Sequence, residues 1–183
     1  VLIDVHAHFL HDRGPRADWR ERNASRLRAG ERVGITFHVS SILGSWGRNS
    51  PIYFPSAPDL DFANEFQRSL QRAHPGRIRG YIAVNPNYTT HAVAEIARGA
   101  AAGMIGVKLA ASRRADDPLL DPVCEAAEAH GMPVLQHIWQ HRRREFPGQE
   151  ASDAPELCAL AERHPRVKFI LAHIGGGGDW LHS

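Results

Sequence analysis

Cysteine and net charge are both scarce in this chain, and each scarcity excludes a class of protein. The 183 residues include only two cysteines, Cys124 and Cys158, and both fall within apolar helical patterns. This usage is typical of reduced core thiols and excludes a disulfide framework or a thiolate metal site. The formal net charge is only +2, and the basic run at 142–144 contains no interleaved aromatic residues. The sequence therefore excludes nucleic acid as a partner.

Long hydrophobic runs are also absent. No apolar run approaches the ~20 residues that span a bilayer, and the first residues lack the pattern of a signal peptide. Apolar residues make up 43% and charged residues 23% of the chain, as in an ordinary globular protein. A length of 183 residues is that of one domain or of a large part of one. We therefore expect a cytoplasmic protein without a membrane partner.

Short strand-like runs alternate with helical patterns along the chain. We predict strands at 1–8, 33–40, 78–85, 104–110, 133–138 and 167–173. Alternation of this kind predicts βαβ units and a parallel sheet. The longer irregular segments 41–58 and 139–152 both follow a strand, which is where barrel enzymes build their active sites. We expect these two segments to wall a pocket.

Several helix starts can be predicted from local signals. Asp18 with Glu21 and Asp153 with Glu156 fit capping boxes, and Asp117 precedes a first-turn proline. The segment 59–74 has apolar residues at helical spacing, which should lie on the sheet: Phe62, Phe66, Leu70 and Ala73.

Twelve histidines make the chain rich in this residue, and three of them have a structural explanation. His74, His130 and His164 each end an apolar-periodic stretch and precede glycine or proline. Histidine in the last helical turn is favoured by the negative end of the helix dipole, and glycine or proline then stops the helix. We predict that these three histidines end helices.

The first strand ends in two histidines spaced i, i+2, which is the strongest chemical feature of the sequence. Successive side chains of a strand point to opposite faces, so His6 and His8 share a face with Asp4. Imidazole is the commonest metal ligand near neutral pH, and a rigid strand fixes both rings. The pair predicts a metal site, and two ordinary polar residues at a strand end are the alternative.

Polar residues also occur at or near the ends of the other predicted strands. They are His38, Asn85, Lys108, His137 and His173, on strands two to six in that order. In a parallel α/β architecture the carboxyl ends of the strands face the ligand. One histidine at a strand end is more often a hydrogen-bonded core residue, but three separate strands that end in this way make coincidence a weaker explanation. We therefore predict a site at this edge of the sheet.

The motifs on four of these strands resemble those of the amidohydrolase superfamily. They are Ile-Asp-Val-His-Ala-His on the first strand, Gly-Val-Lys-Leu on the fourth, Val-Leu-Gln-His on the fifth and Ile-Leu-Ala-His-Ile-Gly-Gly on the sixth. The last motif is similar to the amidohydrolase-2 subgroup, which includes aminocarboxymuconate-semialdehyde decarboxylase and related hydrolases. The resemblance implies an α/β fold of the (β/α)₈ TIM-barrel type with one or two divalent metals at its mouth. It implies zinc, with manganese as the alternative, and His6, His8 and His137 as ligands.

The same resemblance implies catalytic roles for two further residues. His173 matches a histidine that binds a second metal in binuclear members and orients water or acts as acid or base in mononuclear ones. Lys108 matches a lysine that some binuclear members carbamylate into a bridging ligand. The alternative for Lys108, slightly favoured here, is a free ammonium that binds an anionic substrate or pairs with Asp4.

The chain would supply about six βα units of such a barrel, as one metal-dependent hydrolase domain at 1–183 that stops after the sixth strand. A full barrel needs roughly 250 residues, and an open sheet exposes strands one and six as edges. The aspartate that family members carry on the eighth strand, where it binds metal and takes a proton from water, is missing, and Asp179 follows the wrong strand to replace it. We expect a longer protein or a second chain to complete the barrel, and we favour the longer protein.

The main function expected from these residues is hydrolysis, in which metal-activated water attacks a C–O or C–N bond of a small acidic substrate. The alternatives are a metal-dependent non-oxidative decarboxylase of an aromatic or muconate-like carboxylic acid, and a non-catalytic remnant. Arg48, Asn85 and Arg142 are candidates for binding the substrate, and Arg113 and Arg114 follow the fourth strand. Solvated surface charge is the better expectation for any single arginine. The sequence is compatible with a homo-oligomer and does not determine the oligomeric state.

Overall fold

The computed structural model describes residues 1–138, 146–150 and 152–175, and within them six strands alternate with five α-helices. The strands are β1 (Leu2–Ala7), β2 (Ile35–Ser40), β3 (Ile78–Val84), β4 (Gly106–Leu109), β5 (Val134–Gln136) and β6 (Phe169–Leu171). The helices are α1 (Trp19–Arg32), α2 (Ala57–Ala73), α3 (Thr89–Ala101), α4 (Asp121–Ala129) and α5 (Ala154–Arg163). Short 3₁₀ turns follow β3 and β6 and precede α4.

The six strands form one parallel sheet in the sequential order β1-β2-β3-β4-β5-β6. Sequential order with a helix between neighbouring strands is the connectivity of a barrel, because each right-handed crossover adds the next strand on the same side. The sheet curls into a half-barrel, which confirms the predicted fold class as part of a (β/α)₈ barrel. Among the described residues, no helix combines the length and the apolar character needed to cross a bilayer.

The helix ends follow local signals in most cases. His74, His130 and His164 occupy the C-cap positions of α2, α4 and α5, which confirms that these histidines end helices. The capping box of Asp153 and Glu156 is present at α5, where the Glu156 carboxylate accepts a hydrogen bond from the Asp153 amide at 2.9 Å. The capping box predicted at α1 is wrong: Asp18 is the N-cap residue, but its side chain pairs with Arg22 instead of the helix backbone.

Helix α2 presents a partly polar face to the sheet, which corrects the apolar face predicted for it. Leu70 is buried as expected, whereas Ala73 is exposed and Phe62 is half-buried. Asn64 and Gln67 occupy buried positions instead. The Asn64 side chain bonds to both the backbone N–H and the backbone C=O of Ala83, at 2.9 and 3.0 Å, and so acts as a strand partner where β2 has already ended.

The core is divided between the two faces of the sheet. On the convex face, alternate residues of β3 to β5 pack against α3, α4 and α5 in the largest apolar cluster, which includes Cys124. On the concave face, Val39, Tyr81, Leu135 and Ala172 form a smaller cluster. Both cysteines are free, as predicted, but only Cys124 is a core thiol because Cys158 is exposed.

Strand β1 lies at one end of the sheet and exposes apolar side chains. Leu2, Ile3 and Val5 are 51%, 49% and 44% exposed. At the other end, all three residues of β6 are partly exposed. Exposed apolar strand edges are sites of pairing with another chain segment, and within the described residues β1 and β6 each pair with one strand only.

Gly30 of α1 makes room for His38, and this contact gives a test of the packing between α1 and β2. A Cβ atom at position 30 would lie 2.6 Å from His38 Nε2. The ring cannot move freely, because its Nδ1 is paired with Asp4 Oδ2 at 3.1 Å. Replacing a helical glycine with alanine normally stabilises a helix by about 1 kcal/mol. At position 30 the clash of the new Cβ with the His38 ring opposes this stabilisation.

We predict that Gly30→Ala lowers the free energy of unfolding by about 1–3 kcal/mol, because overpacking outweighs helix propensity. In the background of His38→Ala, the same substitution should become neutral or stabilising, since the ring is gone. Chemical denaturation of the four proteins of this cycle measures the coupling. Equal effects of Gly30→Ala in both backgrounds would contradict the prediction.

Candidate metal centre

Strand alternation places several of the predicted site residues on the concave face of the sheet. Val107 and Leu109 of β4 pack in the convex cluster, so Lys108 between them points into the concave face. His137 directly follows β5, two residues after the concave residue Leu135. The carboxyl ends of parallel strands share one edge of the sheet, which is why residues more than 100 positions apart in sequence meet there.

The structure brings four histidines and one lysine together in a row. The ring centroids of His8 and His6 are 5.1 Å apart, those of His6 and His173 are 4.8 Å apart, and those of His173 and His137 are 4.7 Å apart. His173 Nε2 lies 3.2 Å from His137 Nδ1. Lys108 Nζ lies 3.2 Å from His6 Nε2, beside the middle of the row. All five residues predicted as metal ligands or catalytic groups therefore lie in one cluster.

The surrounding backbone fixes the tautomer of His8. Its Nδ1 lies 3.0 Å from the carbonyl oxygen of Ser41, and a carbonyl can only accept, so Nδ1 carries the proton. Nε2 is then the atom with a lone pair available for a metal, an arrangement typical of histidine ligands. The guanidinium of Arg26 on α1 donates to the carbonyl of His8 and holds the end of the strand.

The electrostatics of the row favour neutral imidazoles. Burial, followed by the charge of Lys108, lowers the pKa of His6 to about 3, of His8 to about 4 and of His137 to about 2. The pKa of His173 is lowered by the same two causes. Burial lowers the pKa of Lys108 to about 7. Neutral imidazole is the ligating form, so the histidines are ready to bind a cation at neutral pH.

A divalent ion suits the donor chemistry of this cluster, although the rings form a row and not a closed site. The histidines supply only nitrogen donors, which suit zinc and other first-row divalent metals. Among the described residues, the trio whose ligand atoms all lie within 4.8 Å of one another is Asp61, His91 and Glu95, on α2 and α3. Arg98 already contacts both of those carboxylates, so that trio is an ion-pair network. That His6, His8 and His137 bind one ion therefore stays a prediction.

His173, between His6 and His137 in the row, adopts a strained backbone conformation. Its φ of 63° lies in the left-handed region, which non-glycine residues rarely adopt. Such strain is concentrated at functional sites, where the surrounding structure holds a side chain in a required direction. Here it accompanies a half-exposed imidazole that contacts both His6 and His137.

Aromatic side chains from the two segments predicted to wall the pocket lie against the histidines. The Trp46 and His8 rings meet edge to face, with their centroids 6.4 Å apart, and the centroids of the Tyr53 and His137 rings are 5.5 Å apart. The Phe146 ring lies 5.3 Å from that of Tyr53, so both segments contribute to one aromatic wall. Trp46, Tyr53 and Phe146 were not predicted from the sequence as site residues. The available signal was the presence of aromatic residues in segments that directly follow strand ends.

The predicted substrate-binding residues have different surroundings. Asn85 is fully buried, donates to the carbonyl of Pro55 at 3.0 Å and accepts from the Asn87 backbone at 3.0 Å, so it holds the protein's own loops. Arg48 is exposed and lines a cavity of about 280 Å³ beside Trp46. Arg142 lies outside the described residues.

Arg113 and Arg114 contact other parts of the protein. Arg113 donates to Asn87 at 2.6 Å, and Arg114 forms ion pairs with Asp116 and Glu156. These contacts give both arginines structural partners and agree with the expectation of surface charge.

Two expectations about neighbouring residues are wrong. His38 does not join the row, because Val39 faces the concave cluster and His38, one position earlier, points toward α1. The structure shows no ion pair between Lys108 and Asp4. The Asp4 carboxylate bonds instead to His38 and to the backbone N–H of His6.

Comparison with known proteins agrees with this geometry. Residues 3–182 match the family described as Amidohydrolase. No curated protein matches the chain. Among solved structures, 5-carboxyvanillate decarboxylase LigW from Sphingomonas paucimobilis has a TM-score of 0.68 and 19% identity, covering 95% of this chain and 68% of that one.

Two other decarboxylase structures share the fold. The 2,6-dihydroxybenzoate decarboxylase from Rhizobium has a TM-score of 0.67 and 18% identity, covering 96% of this chain and 66% of that one. The 5-carboxyvanillate decarboxylase from Novosphingobium aromaticivorans, complexed with manganese and 4-hydroxy-3-methoxy-5-nitrobenzoic acid, has a TM-score of 0.66 and 14% identity, covering 96% and 65%. The chain therefore spans about two thirds of the length of these structures. Since the family match extends over nearly all of the sequence, the chain belongs to the amidohydrolase family.

Proposed function

We propose that this protein is a metal-dependent, non-oxidative decarboxylase of a small aromatic carboxylic acid. The main support is the row of His8, His6, His173 and His137 beside the Lys108 ammonium, faced by the aromatic wall. A cationic, nitrogen-rich centre suits a carboxylate, and aromatic rings suit a planar ring. The structural neighbours support the same direction, because their names are those of decarboxylases of aromatic acids.

His6, His8 and His137 would hold the divalent ion. A bound divalent ion supplies positive charge that attracts and polarises substrate oxygens. Lys108 Nζ lies 3.2 Å from His6 Nε2, beside the residues that would hold the ion. Because burial lowers the pKa of Lys108 to about 7, its charged and neutral forms are both accessible near neutral pH. Zinc fits the all-nitrogen donor set, and manganese is the ion bound in one neighbour.

The other residues bind the substrate and move a proton. Decarboxylation replaces the C–COO⁻ bond of the ring with C–H and releases CO₂, so one proton must reach the ring carbon. His173 lies between His6 and His137, is partly exposed, and is the proposed carrier of that proton. Lys108, when charged, attracts the carboxylate, and Arg48 at the neighbouring cavity would pair with a second acidic group. Arg142 keeps its proposed role in substrate binding.

Hydrolysis is the second candidate, favoured by the amidohydrolase family match. It would use the same histidines, with water as the attacking group in place of proton transfer to carbon. The two reactions differ in their products: decarboxylation of an aromatic acid releases CO₂, whereas hydrolysis of an ester, lactone or amide does not.

The proposed function predicts CO₂ release from aromatic acids. The protein is loaded with Zn²⁺ or Mn²⁺ and incubated with 2,6-dihydroxybenzoate, 5-carboxyvanillate, and a matched set of esters and lactones. We expect metal-dependent CO₂ release and the decarboxylated arene from at least one acid. His8→Ala should lose bound metal and turnover together with little change in thermal stability, because stability comes mainly from the apolar faces. Turnover confined to the esters or lactones would overturn the decarboxylase proposal in favour of hydrolysis.

The lowered histidine pKa values predict a pH-dependent stability of the metal-free protein. The pKa values of His6, His8 and His137 are about 3, 4 and 2 when folded and 6.5 in the unfolded reference. Below pH 6.5 the unfolded chain therefore binds more protons than the folded protein. The stability of the folded protein is highest above pH 6.5 with respect to these groups, and part of it is lost as the pH falls toward 4.

We expect the free energy of unfolding in EDTA to fall as the pH decreases from 6.5 to 4.5. At the middle of that range the unfolded chain should hold about one more proton than the folded protein at each of the three histidines, and this difference sets the slope. His8→Gln should reduce the slope by about the one proton that His8 contributes. Denaturant titrations at several pH values measure the slope. Identical slopes for His8→Gln and the unchanged protein would contradict the prediction.

We also propose that the active form is a longer polypeptide whose further strands pair with β1 and β6. The support is the exposure of Leu2, Ile3 and Val5 at the open edge. Residues 1–183 expressed alone should be polydisperse by light scattering and inactive, and the edge variant Val5→Lys should reduce their association. A monodisperse, metal-loaded and active 183-residue chain would contradict this proposal.

A further inference from the structure

The carboxylate of Asp59 is buried within the segment that supplies the aromatic wall. Asp59 lies in the first turn of α2 and is only 3% exposed. Ser45 Oγ and Ser50 Oγ donate to Asp59 Oδ2 at 2.6 and 2.5 Å, and Asn49 Nδ2 donates to Oδ1 at 3.1 Å. Three side chains from one loop therefore converge on a single carboxylate.

The two serines extend this arrangement to the loop backbone. Ser45 Oγ also accepts from the backbone N–H of Asn49 at 3.0 Å, and Ser50 Oγ accepts from the backbone N–H of Ser56 at 3.0 Å. Each hydroxyl thus donates to Asp59 and accepts from the loop, which fixes its orientation. The path of residues 45–56 depends on one ionised acceptor at its centre.

The charge of Asp59 is maintained by these contacts. Burial alone would raise the pKa of Asp59, but the hydrogen bonds from Ser45, Ser50 and Asn49, with the nearby charge of Arg13, lower it below its usual value. An asparagine at this position could not replace the carboxylate. Whichever oxygen became the amide nitrogen would face a donor, either the two hydroxyls or the Asn49 amide.

The loop held in this way carries Trp46 and Tyr53 to two different histidines. Trp46 directly follows Ser45 and has a φ of 57°, a conformation that is unfavourable unless its surroundings hold it. Its ring contacts His8, while Tyr53 contacts His137 at the other end of the row. Gly44 and Gly47, on either side of this turn, have φ values of 64° and 84°. The loop conformation therefore needs an external constraint, and Asp59 supplies it.

We propose that Asp59 is a positioning residue that sets the aromatic wall against the histidine row and thereby determines the affinity for a planar ring. The part that concerns the ring rests on the proposed decarboxylase function. Asp59 does not contact the histidines, so its loss should leave metal binding intact and weaken ring binding. This separation distinguishes it from a residue that only stabilises the fold.

The position of Trp46 can be measured without any turnover. The full polypeptide is labelled with 5-fluorotryptophan, and Trp46→Phe assigns the Trp46 resonance in the ¹⁹F spectrum. Bound Mn²⁺ broadens a fluorine resonance with a steep dependence on distance, so a ring packed against His8 should be broadened strongly. In Asp59→Asn we expect unchanged Mn²⁺ stoichiometry but much weaker broadening of the Trp46 resonance, because the ring leaves the histidine row.

The kinetic arm uses 2,6-dihydroxybenzoate and 5-carboxyvanillate as probes. Asp59→Asn should raise KM about tenfold or more with kcat changed much less, as expected for the loss of a buried charged hydrogen-bond acceptor that acts on binding. Ser50→Ala, which removes one donor, should give a smaller change in the same direction. Asp61→Asn is the matched control, because this exposed carboxylate on the same helix pairs with His91 and Arg98 and should leave both readouts unchanged.

The outcomes separate the two proposals. If neither acid is turned over by the unchanged protein, the decarboxylase proposal fails, and the ¹⁹F arm still decides the role of Asp59. Trp46 broadening in Asp59→Asn equal to that in the unchanged protein would overturn the positioning role. If Asp59→Asn fails to fold, Ser50→Ala decides instead: weakened broadening supports the role, and unchanged broadening overturns it.

Discussion

The parallel, sequential pairing of six strands is the constraint on which the rest of the structure depends. Because every strand runs in the same direction and each crossover has the same hand, all strand carboxyl ends meet at one edge. His6 on β1, His8 directly after it, Lys108 on β4 and His137 after β5 become neighbours only through this pairing. A shift of one residue in the register of β4 would turn Lys108 toward the helices and place Val107 or Leu109 at the histidines.

Crowding of basic groups is the main electrostatic property of the site. Four imidazoles and one ammonium lie together, and the described residues nearest them contribute no carboxylate to the row. Burial, the charge of Lys108 and the neighbouring rings lower the pKa values of His6 and His137 and keep these imidazoles neutral, which is the state that binds a metal. Burial lowers the pKa of Lys108 as well. Lys108 is therefore the group of this cluster that carries positive charge when it is protonated.

Local signals in the sequence predict most of the elements and the strands whose ends carry the clustered histidines and Lys108. His74, His130 and His164 end helices because the dipole and the following residues act within one turn. Predictions from local sequence patterns were wrong where a long-range contact determines which side chains are buried or which way they point. The Asn64 side chain bonds to the Ala83 backbone because β2 pairs with β3 only as far as Gly80. The local sequence around Asn64 does not reveal that β2 is shorter than β3. His38 points to α1 because the pairing of β1 with β2 fixes its face, which its nearness to a strand end did not reveal.

The aromatic wall shows why loop residues at the candidate site are harder to predict than histidines at strand ends. A histidine on a strand inherits its position from the sheet, whereas Trp46 and Tyr53 are placed by a loop whose path depends on Asp59. The sheet can therefore keep its row of histidines while the loop changes the surface beside them. Such a division lets one family act on different substrates, since loop substitutions alter the pocket without disturbing the strands. In this chain the loop places one aromatic ring at each end of the histidine row, Trp46 against His8 and Tyr53 against His137.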